Sequence, residues 1–304
     1  MLYFSDLSVF SVLLSGIFLG FFCYVFLRLS SIYGSVFNAF GHLKPIVKFL
    51  IVAADFVVLC AGIAGSDGVF YELFNLHIGS IIITLLSVTI ILFGYRSIRY
   101  VNFFVVPIII ALVSVVFFSD LSFPYYGKNS VVSPFLYASM NLLTGGFFIG
   151  ENADNPTKKE CLLTSVISGI TLTCLLVAVF LSSRGVFGEM PFLEKAYSLG
   201  FGTIGNIVLL LALLTTVIGT LSVCSANKKT SVLFLASVSL FLSSFGFGTI
   251  VDTIYPIIGV IGSVVTVCTL FIFILSVTPK FSRYYNRLFR PTDFSIFQRR
   301  KRAR

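Results

Sequence analysis

The amino-acid sequence contains nine apolar runs that are each about as long as a lipid bilayer is thick. An α-helix rises ~1.5 Å per residue, so about 20 apolar residues span the ~30 Å hydrocarbon core. Backbone polar groups cannot stay unpaired in that core, which favours helices for continuous apolar runs. We therefore predict an all-α polytopic membrane protein with about nine transmembrane helices. The runs lie at about 9–28, 46–66, 78–95, 101–118, 133–150, 161–181, 203–224, 230–247 and 255–278.

The composition agrees with a membrane protein that carries one basic tail. Hydrophobic residues make up 57% of the chain and charged residues 11%, which is too little charge for the surface of a soluble fold. Residues 280–304 hold nine Lys/Arg and one Asp, so they supply most of the formal charge of +9. We therefore predict a single transmembrane domain at 1–279 and a basic cytoplasmic tail at 280–304. The tail is expected to bind anionic lipids rather than nucleic acid. The alternative is that it is only the positive-inside anchor of the last helix.

The basic residues also predict an orientation. With the amino end of the first helix outside, eighteen Lys/Arg fall in cytoplasmic segments and three fall outside. Cytoplasmic loops of membrane proteins carry such an excess of basic residues. We expect a multi-pass protein of the cell inner (plasma) membrane with its carboxyl end in the cytoplasm.

Asp55 is the most costly residue of the predicted spans. It lies in the middle of an apolar run, where a carboxylate costs ~2.5–3.5 kcal/mol on insertion scales. It is therefore expected to face the interior of the bundle. One interpretation is a site for a cation, a proton or a substrate amine. The other is a structural Asp that stays protonated and donates a hydrogen bond to a neighbouring helix.

The segment Ser133–Pro156 is a candidate broken helix. It begins as an apolar helix, carries Asn141 and Thr144, and reaches Gly145-Gly146 at a depth near the middle of the bilayer. Helices that open at the midplane form the binding sites of many secondary transporters. The alternative is that the glycines only let a neighbouring helix approach closely. Farther along, residues 188–202 predict a short amphipathic helix that is either an outer lid or simple packing.

Four segments resemble one family in their order and spacing. Together with the Gly pair at 145–146, they are similar to the YkvI-like bacterial membrane proteins. This family is related to the amino acid–polyamine–organocation transporters, which have a LeuT-type fold of ten core helices in two inverted repeats. The segments are GYRSIRYVNFFVVPIIIALV at 94–113, EMPFLEKAYSLG at 189–200, LLALLTTVIGTLSV at 210–223 and FGFGTIVDTIYPIIGVIG at 245–262.

The resemblance covers nearly the whole chain and implies a division into repeats. The first repeat is about 1–118 and the second about 133–279, with Ser133–Pro156 as the sixth core helix. The family's first core helix has no counterpart, since Met1 falls where the second one begins. A Ser/Thr pair on the eighth core helix helps bind sodium in LeuT-type transporters, and Thr215-Thr216 matches it. Threonines in membrane helices otherwise bond the carbonyl one turn back.

These features predict one binding site. We expect Asp55, Asn141, Thr144 and the Gly145-Gly146 backbone to border one water-accessible cavity that binds a substrate. Thr215 and Thr216 are expected to line its far wall and bind a coupling ion.

The resemblance implies a secondary transporter of a small organic solute, such as an amino acid or a related amine. Transport would be coupled to sodium or protons. The alternatives are a non-transporting ligand-binding or receptor subunit of the same superfamily and an N-terminally truncated transporter. The sequence has no catalytic motif and no cysteine or histidine spacing typical of a metal site. We therefore predict neither an enzyme nor a cofactor beyond the coupling ion.

Overall fold

The computed structural model describes residues 8–120, 129–153, 155–184, 186, 190–225 and 228–278. These residues are nearly all helical and contain no strand. The predicted basic tail at 280–304 lies outside the described residues. The helices are α1 Val9–Tyr33, α2 Val36–Ala39, α3 Lys44–Phe74, α4 Gly79–Leu92, α5 Tyr95–Ser119, α6 Val132–Asn141, α7 Phe147–Asn152, α8 Lys158–Ser182, α9 Pro191–Ser198, α10 Gly202–Ser225, α11 Lys229–Leu242 and α12 Phe247–Val277.

Seven helical segments of the described chain are long and apolar enough to cross a membrane. They coincide with seven of the nine predicted runs, which confirms the prediction of an all-α polytopic membrane protein. Two further apolar helices, Gly79–Leu92 and Lys229–Phe245, occupy the third and eighth predicted runs but are shorter. The 14 residues of α4 rise only ~21 Å, less than the ~30 Å of a hydrocarbon core. The count of nine spans therefore stays a prediction.

The described residues cluster into two compact units, each built from separate stretches of the chain. Unit A contains the described residues of 1–13, 52–133 and 173–257. Unit B contains the described residues of 14–51, 134–172 and 258–304. The boundaries fall inside α1, α3, α6, α8 and α12, so these helices contribute segments to both units. The predicted division into two sequential repeats concerns symmetry rather than packing and stays a prediction.

The short helix α9 packs in unit A. The predicted amphipathic helix within 188–202 is present over Pro191–Ser198. Phe192 and Ala196, one turn apart, are buried against α5 and against Val208 of α10. A helix whose apolar face is buried in this way is held in place by packing. The structure thus favours packing over an outer lid.

The last turns of α3 carry a partly exposed carboxylate of unit A, that of Asp67. Helix α4 begins at Gly79, directly against α3. The approach is so close that a Cβ at Gly79 would collide with the Ser66 carbonyl oxygen. Asp67 Oδ2 lies 2.9 Å from His77 Nδ1. The His77 side chain is 70% exposed, so this pair contributes at most ~1 kcal/mol to stability. Asp67 provides a comparison for Asp55, since both lie on α3.

Aromatic packing holds α7 in unit B. The ring centroid of Phe147 lies 4.8 Å from that of Phe26 on α1 and 5.1 Å from that of Phe37 on α2. Such ring pairs contribute ~0.5–1.5 kcal/mol each beyond the area that they bury. Glu151, near the end of α7, accepts hydrogen bonds from the Ser35 hydroxyl and the Phe37 amide. Helix α7 is therefore fixed at both ends against the α1–α2 corner.

Glycines allow two close backbone contacts between helices of unit B. A Cβ at Gly20 of α1 would lie 3.0 Å from the Gly169 Cα of α8. A Cβ at Gly262 of α12 would lie 2.7 Å from the Ser139 carbonyl oxygen of α6. Small residues at membrane helix interfaces let backbones approach in this way. Both crossings exclude a side chain.

Helix α8 begins with a capping box. The Glu160 carboxylate accepts a 2.7 Å hydrogen bond from the Thr157 amide. The Glu160 amide in turn donates to the Thr157 hydroxyl at 3.3 Å. The sequence T-x-x-E before an apolar run is typical of this motif, and it satisfies two amides that a helix start leaves free.

Candidate functional site

Asp55 is a buried carboxylate in the apolar part of α3. It lies 11 residues after Lys44, where α3 begins, which corresponds to ~16 Å along the helix axis. Its exposed fraction is 0%. Neither Oδ1 nor Oδ2 has a hydrogen-bond partner among the described residues. The structure therefore does not show the hydrogen bond to a neighbouring helix that a structural Asp would make.

Asp55 lies on the stripe of α3 that packs against α10. The Cys224 thiol of α10 donates to the Val52 carbonyl oxygen at 3.5 Å. A Cβ at Gly62 of α3 would lie 2.8 Å from Cγ2 of Val217 on α10. Val52 and Gly62, three residues before and seven after Asp55, lie on the same face of α3 as Asp55, because an α-helix has 3.6 residues per turn. The carboxyl thus lies on the α10-facing side, between two close contacts.

An unpartnered buried carboxyl is costly for the fold. A buried polar group without a hydrogen bond costs ~1–3 kcal/mol, and more when it is charged. Surrounding packing does not compensate for this cost, since apolar contacts form equally well with an apolar side chain of similar size. Asp55 is therefore expected to lower the stability of the fold relative to an apolar side chain.

Thr215 and Thr216 both bond to their own helix. Each hydroxyl donates to the Ala212 carbonyl oxygen at 2.9 Å. Thr216 is exposed and Thr215 is partly buried, so their oxygens keep lone pairs for a ligand. Thr216 directly precedes Val217, which contacts Gly62 of α3. Gly62 lies seven residues after Asp55, which is ~10 Å along the axis of α3. The pair and Asp55 thus belong to one unit but lie at different depths.

The predicted break in Ser133–Pro156 takes another form in the structure. The helix does not unwind but continues through a π-helical turn over Leu142–Gly146. The side-chain amide of Asn141 donates to the Tyr137 carbonyl at 2.9 Å, and the Thr144 hydroxyl donates to the Asn141 carbonyl at 3.1 Å. A wide turn keeps most backbone groups paired, which unwound chain in a membrane would not. Such π turns are frequent at functional sites.

The two glycines of the π turn have different surroundings. A Cβ at Gly146 would lie 3.3 Å from Leu142 and 3.4 Å from the Phe26 ring. A Cβ at Gly145 would meet no described atom within 4 Å. The interpretation of close helix packing therefore fits Gly146. Gly145 is exposed, and its missing side chain leaves open space beside the turn.

The predicted site residues fall into different units. Asp55, Thr215 and Thr216 belong to unit A, whereas residues 141–146 belong to unit B. The single cavity expected to include all of them stays a prediction.

The structure also shows a polar chain in unit A that the sequence analysis missed. The Asn206 side-chain amide of α10 donates to the Tyr197 hydroxyl of α9 at 2.6 Å. The Tyr197 hydroxyl lies 3.5 Å from Glu72 Oε2 of α3. Asn206 is 1% exposed, and its Oδ1 has no partner in the part of the chain that the structure describes. The signal was a lone Asn in the first turns of an apolar helix, where a polar residue is commonly solvated.

Comparisons with known proteins leave the family open. No protein-family model matches the chain, and no curated protein matches it at a significant level. Within the described ranges, no group of three or more His, Cys, Asp or Glu side chains is placed to hold a metal ion. Functional inference therefore depends on the residues themselves.

Proposed function

We propose that the protein is a secondary transporter of a small organic solute, with an amino acid or a related amine as the substrate class. The observation that supports this proposal most directly is the buried carboxyl of Asp55, which has no hydrogen-bond partner among the described residues. Intramembrane carboxylates that lack a structural partner mark ion, proton or substrate pathways in membrane proteins. In the proposed mechanism, Asp55 binds the coupling cation or the substrate amine. The turn at Leu142–Gly146 is a separate candidate for contact with the solute.

The π turn supports the solute-binding part of the proposal. Carbonyl and amide groups at an irregular turn within a spanning helix are available to polar ligands, as in the discontinuous helices of transporters. Gly145 leaves this backbone uncovered on one side. The hydroxyl of Thr144 and the amide of Asn141 lie at the same turn. A zwitterion needs both donors and acceptors, and this segment contains both.

A solute screen on the purified full-length protein tests the proposal. A solute at ~100 times its dissociation constant stabilises a folded protein by ~2.7 kcal/mol, so amino acids and amines can be screened by thermal unfolding. The solute that stabilises the protein is then measured in proteoliposome uptake. We expect gradient-driven uptake by the wild type, and its loss in Asp55→Asn, which keeps the size of the side chain and removes the charge. Asp67→Asn, on the same helix, is the matched control and should retain uptake.

The result also separates the proposal from its main alternative. A stabilising solute that is bound but never accumulated would indicate a ligand-binding or receptor subunit. Uptake that persists unchanged in Asp55→Asn would remove Asp55 from the mechanism.

We further propose that the carboxyl end is cytoplasmic and that residues 280–304 lie on the anionic inner leaflet of the plasma membrane. The asymmetry of the basic residues supports both statements. In a cysteine-free background, Glu194→Cys on α9 should react with a membrane-impermeant maleimide in intact cells. Lys228→Cys, exposed before α11, should react only after permeabilisation. Labelling of Lys228→Cys in intact cells would contradict this orientation.

A further inference from the structure

We propose that Asp55 is a proton-binding site and that it does not bind sodium. The inference rests on the proposed function and names the coupling ion at this residue. In the proposed cycle the ionised carboxylate takes up one proton to become a neutral carboxylic acid, and it later releases that proton. No other bond forms or breaks.

The surroundings of Asp55 offer too few oxygen ligands for a metal cation. Hard cations are bound by several oxygens from carboxylates, carbonyls and hydroxyls. The Val52 carbonyl, one turn before Asp55, already accepts the Cys224 thiol. No hydroxyl or amide of the described residues lies within hydrogen-bond contact of either Asp55 oxygen. A proton needs no such shell, because it binds covalently to the carboxylate oxygen.

The threonine pair does not complete a cation site around Asp55. Thr216 lies next to Val217, whose contact with Gly62 is ~10 Å along α3 from Asp55. Hydroxyls at that level cannot share one ion with the Asp55 carboxylate. If Thr215 and Thr216 bind an ion, it is a different one.

No neighbouring positive charge stabilises an ionised Asp55. No Lys, Arg or His in the described chain forms an ion pair with it. Among the described side chains, the titratable ones around this stretch are Cys60 on α3, Cys224 on α10 and Tyr255 on α12. Thiols and phenols are ordinarily neutral near neutral pH, so they do not supply a cation. An isolated carboxylate in apolar surroundings lowers its free energy by binding a proton.

Infrared difference spectroscopy tests the proton site directly. The full-length wild type and Asp55→Asn are reconstituted in neutral phosphatidylcholine vesicles, in potassium chloride and in sodium chloride. At neutral pH, we expect the difference spectrum to contain the C=O band of a protonated carboxylic acid, with equal intensity in both salts. The band should disappear as the pH is raised. The matched variant Asp67→Asn removes a carboxylate paired with His77, and its difference spectrum should lack the acid band.

Two results would overturn the inference. A difference spectrum with only carboxylate bands at neutral pH would show that Asp55 is ionised. An acid band that sodium removes and potassium does not would show a sodium site. Neither measurement requires a solute, so a protein that transports nothing can still show the proton site. Conversely, solute uptake together with a sodium-sensitive band would support the proposal of a transporter and contradict the proposal of a proton site.

Carbodiimide labelling of the unmodified wild type gives a second measurement that does not depend on the folding of a variant. Dicyclohexylcarbodiimide partitions into apolar regions and reacts with protonated carboxyls. Peptide mapping by mass spectrometry should find the label at Asp55, with a yield that falls as the pH rises and that sodium does not change. Protection by sodium, or a yield independent of pH, would contradict a proton site.

Discussion

Asp55→Leu is expected to raise the thermal stability of the protein and to abolish its proton-linked uptake. Leucine has the same branching as aspartate, with methyl groups in place of the carboxyl oxygens, and it leaves no polar atom without a partner in the apolar surroundings of α3. Removing an unsatisfied buried polar group should stabilise the fold by ~1–3 kcal/mol. The measurements are unfolding in detergent, followed by the loss of α-helical signal, and uptake in proteoliposomes. Gain of stability with loss of activity is the pattern expected of a residue retained for function.

The opposite result would identify a structural Asp55. If Asp55→Leu unfolds at a lower temperature than the wild type, the carboxyl makes a stabilising interaction. Asp67→Leu serves as the control, because Asp67 is a partly exposed carboxylate of the same helix that has hydrogen-bond partners in His77 and Ser80. That variant should leave uptake unchanged and change stability by at most ~1 kcal/mol, in the range of surface ion pairs.

Gly262→Leu is expected to be strongly destabilising, whereas Gly145→Leu is expected to fold normally. A Cβ at Gly262 would lie 2.7 Å from the Ser139 carbonyl oxygen and 3.0 Å from the Ser139 carbonyl carbon, and backbone atoms cannot rotate away. Overpacking of this kind costs ~1–3 kcal/mol or more, so expression and unfolding temperature should both fall. At Gly145 no described atom lies within 4 Å of the added Cβ. Leucine also favours a helix over glycine by up to ~1 kcal/mol.

Substitutions at Gly145 and at the packed glycines are also expected to cause different defects. Gly145→Leu should be well expressed but unable to bind solute, because its side chain fills the open space beside the π turn. Gly146→Leu, next to Phe26, should show the packing defect instead. A well-expressed Gly145→Leu protein with unchanged solute binding would exclude this turn from the binding site.

Much of the architecture was predictable because the governing forces are local. A run of about 20 apolar residues must form a helix in a bilayer, whatever its neighbours. The seven long helices therefore lie where the sequence predicted them. The amphipathic segment around Phe192 was predictable for the same reason, since its periodicity depends only on its own residues. Asp55 could be selected from sequence because a charge amid an apolar run is costly in any bundle.

The details of the site depend on contacts between distant parts of the chain, which no local pattern contains. Adjacent glycines weaken a helix, but the need to keep backbone groups paired produced a π turn at Leu142–Gly146 rather than an unwound segment. Gly145 and Gly146 are the same residue type, and the positions of Leu142 and Phe26 make Gly146 the packing residue of the two. The absence of a partner for Asp55 in the described chain likewise follows from how α3 meets α10. Sequence thus determined which segments enter the membrane and which carboxylate is exceptional, while tertiary packing decided what surrounds that carboxylate and which glycine remains open.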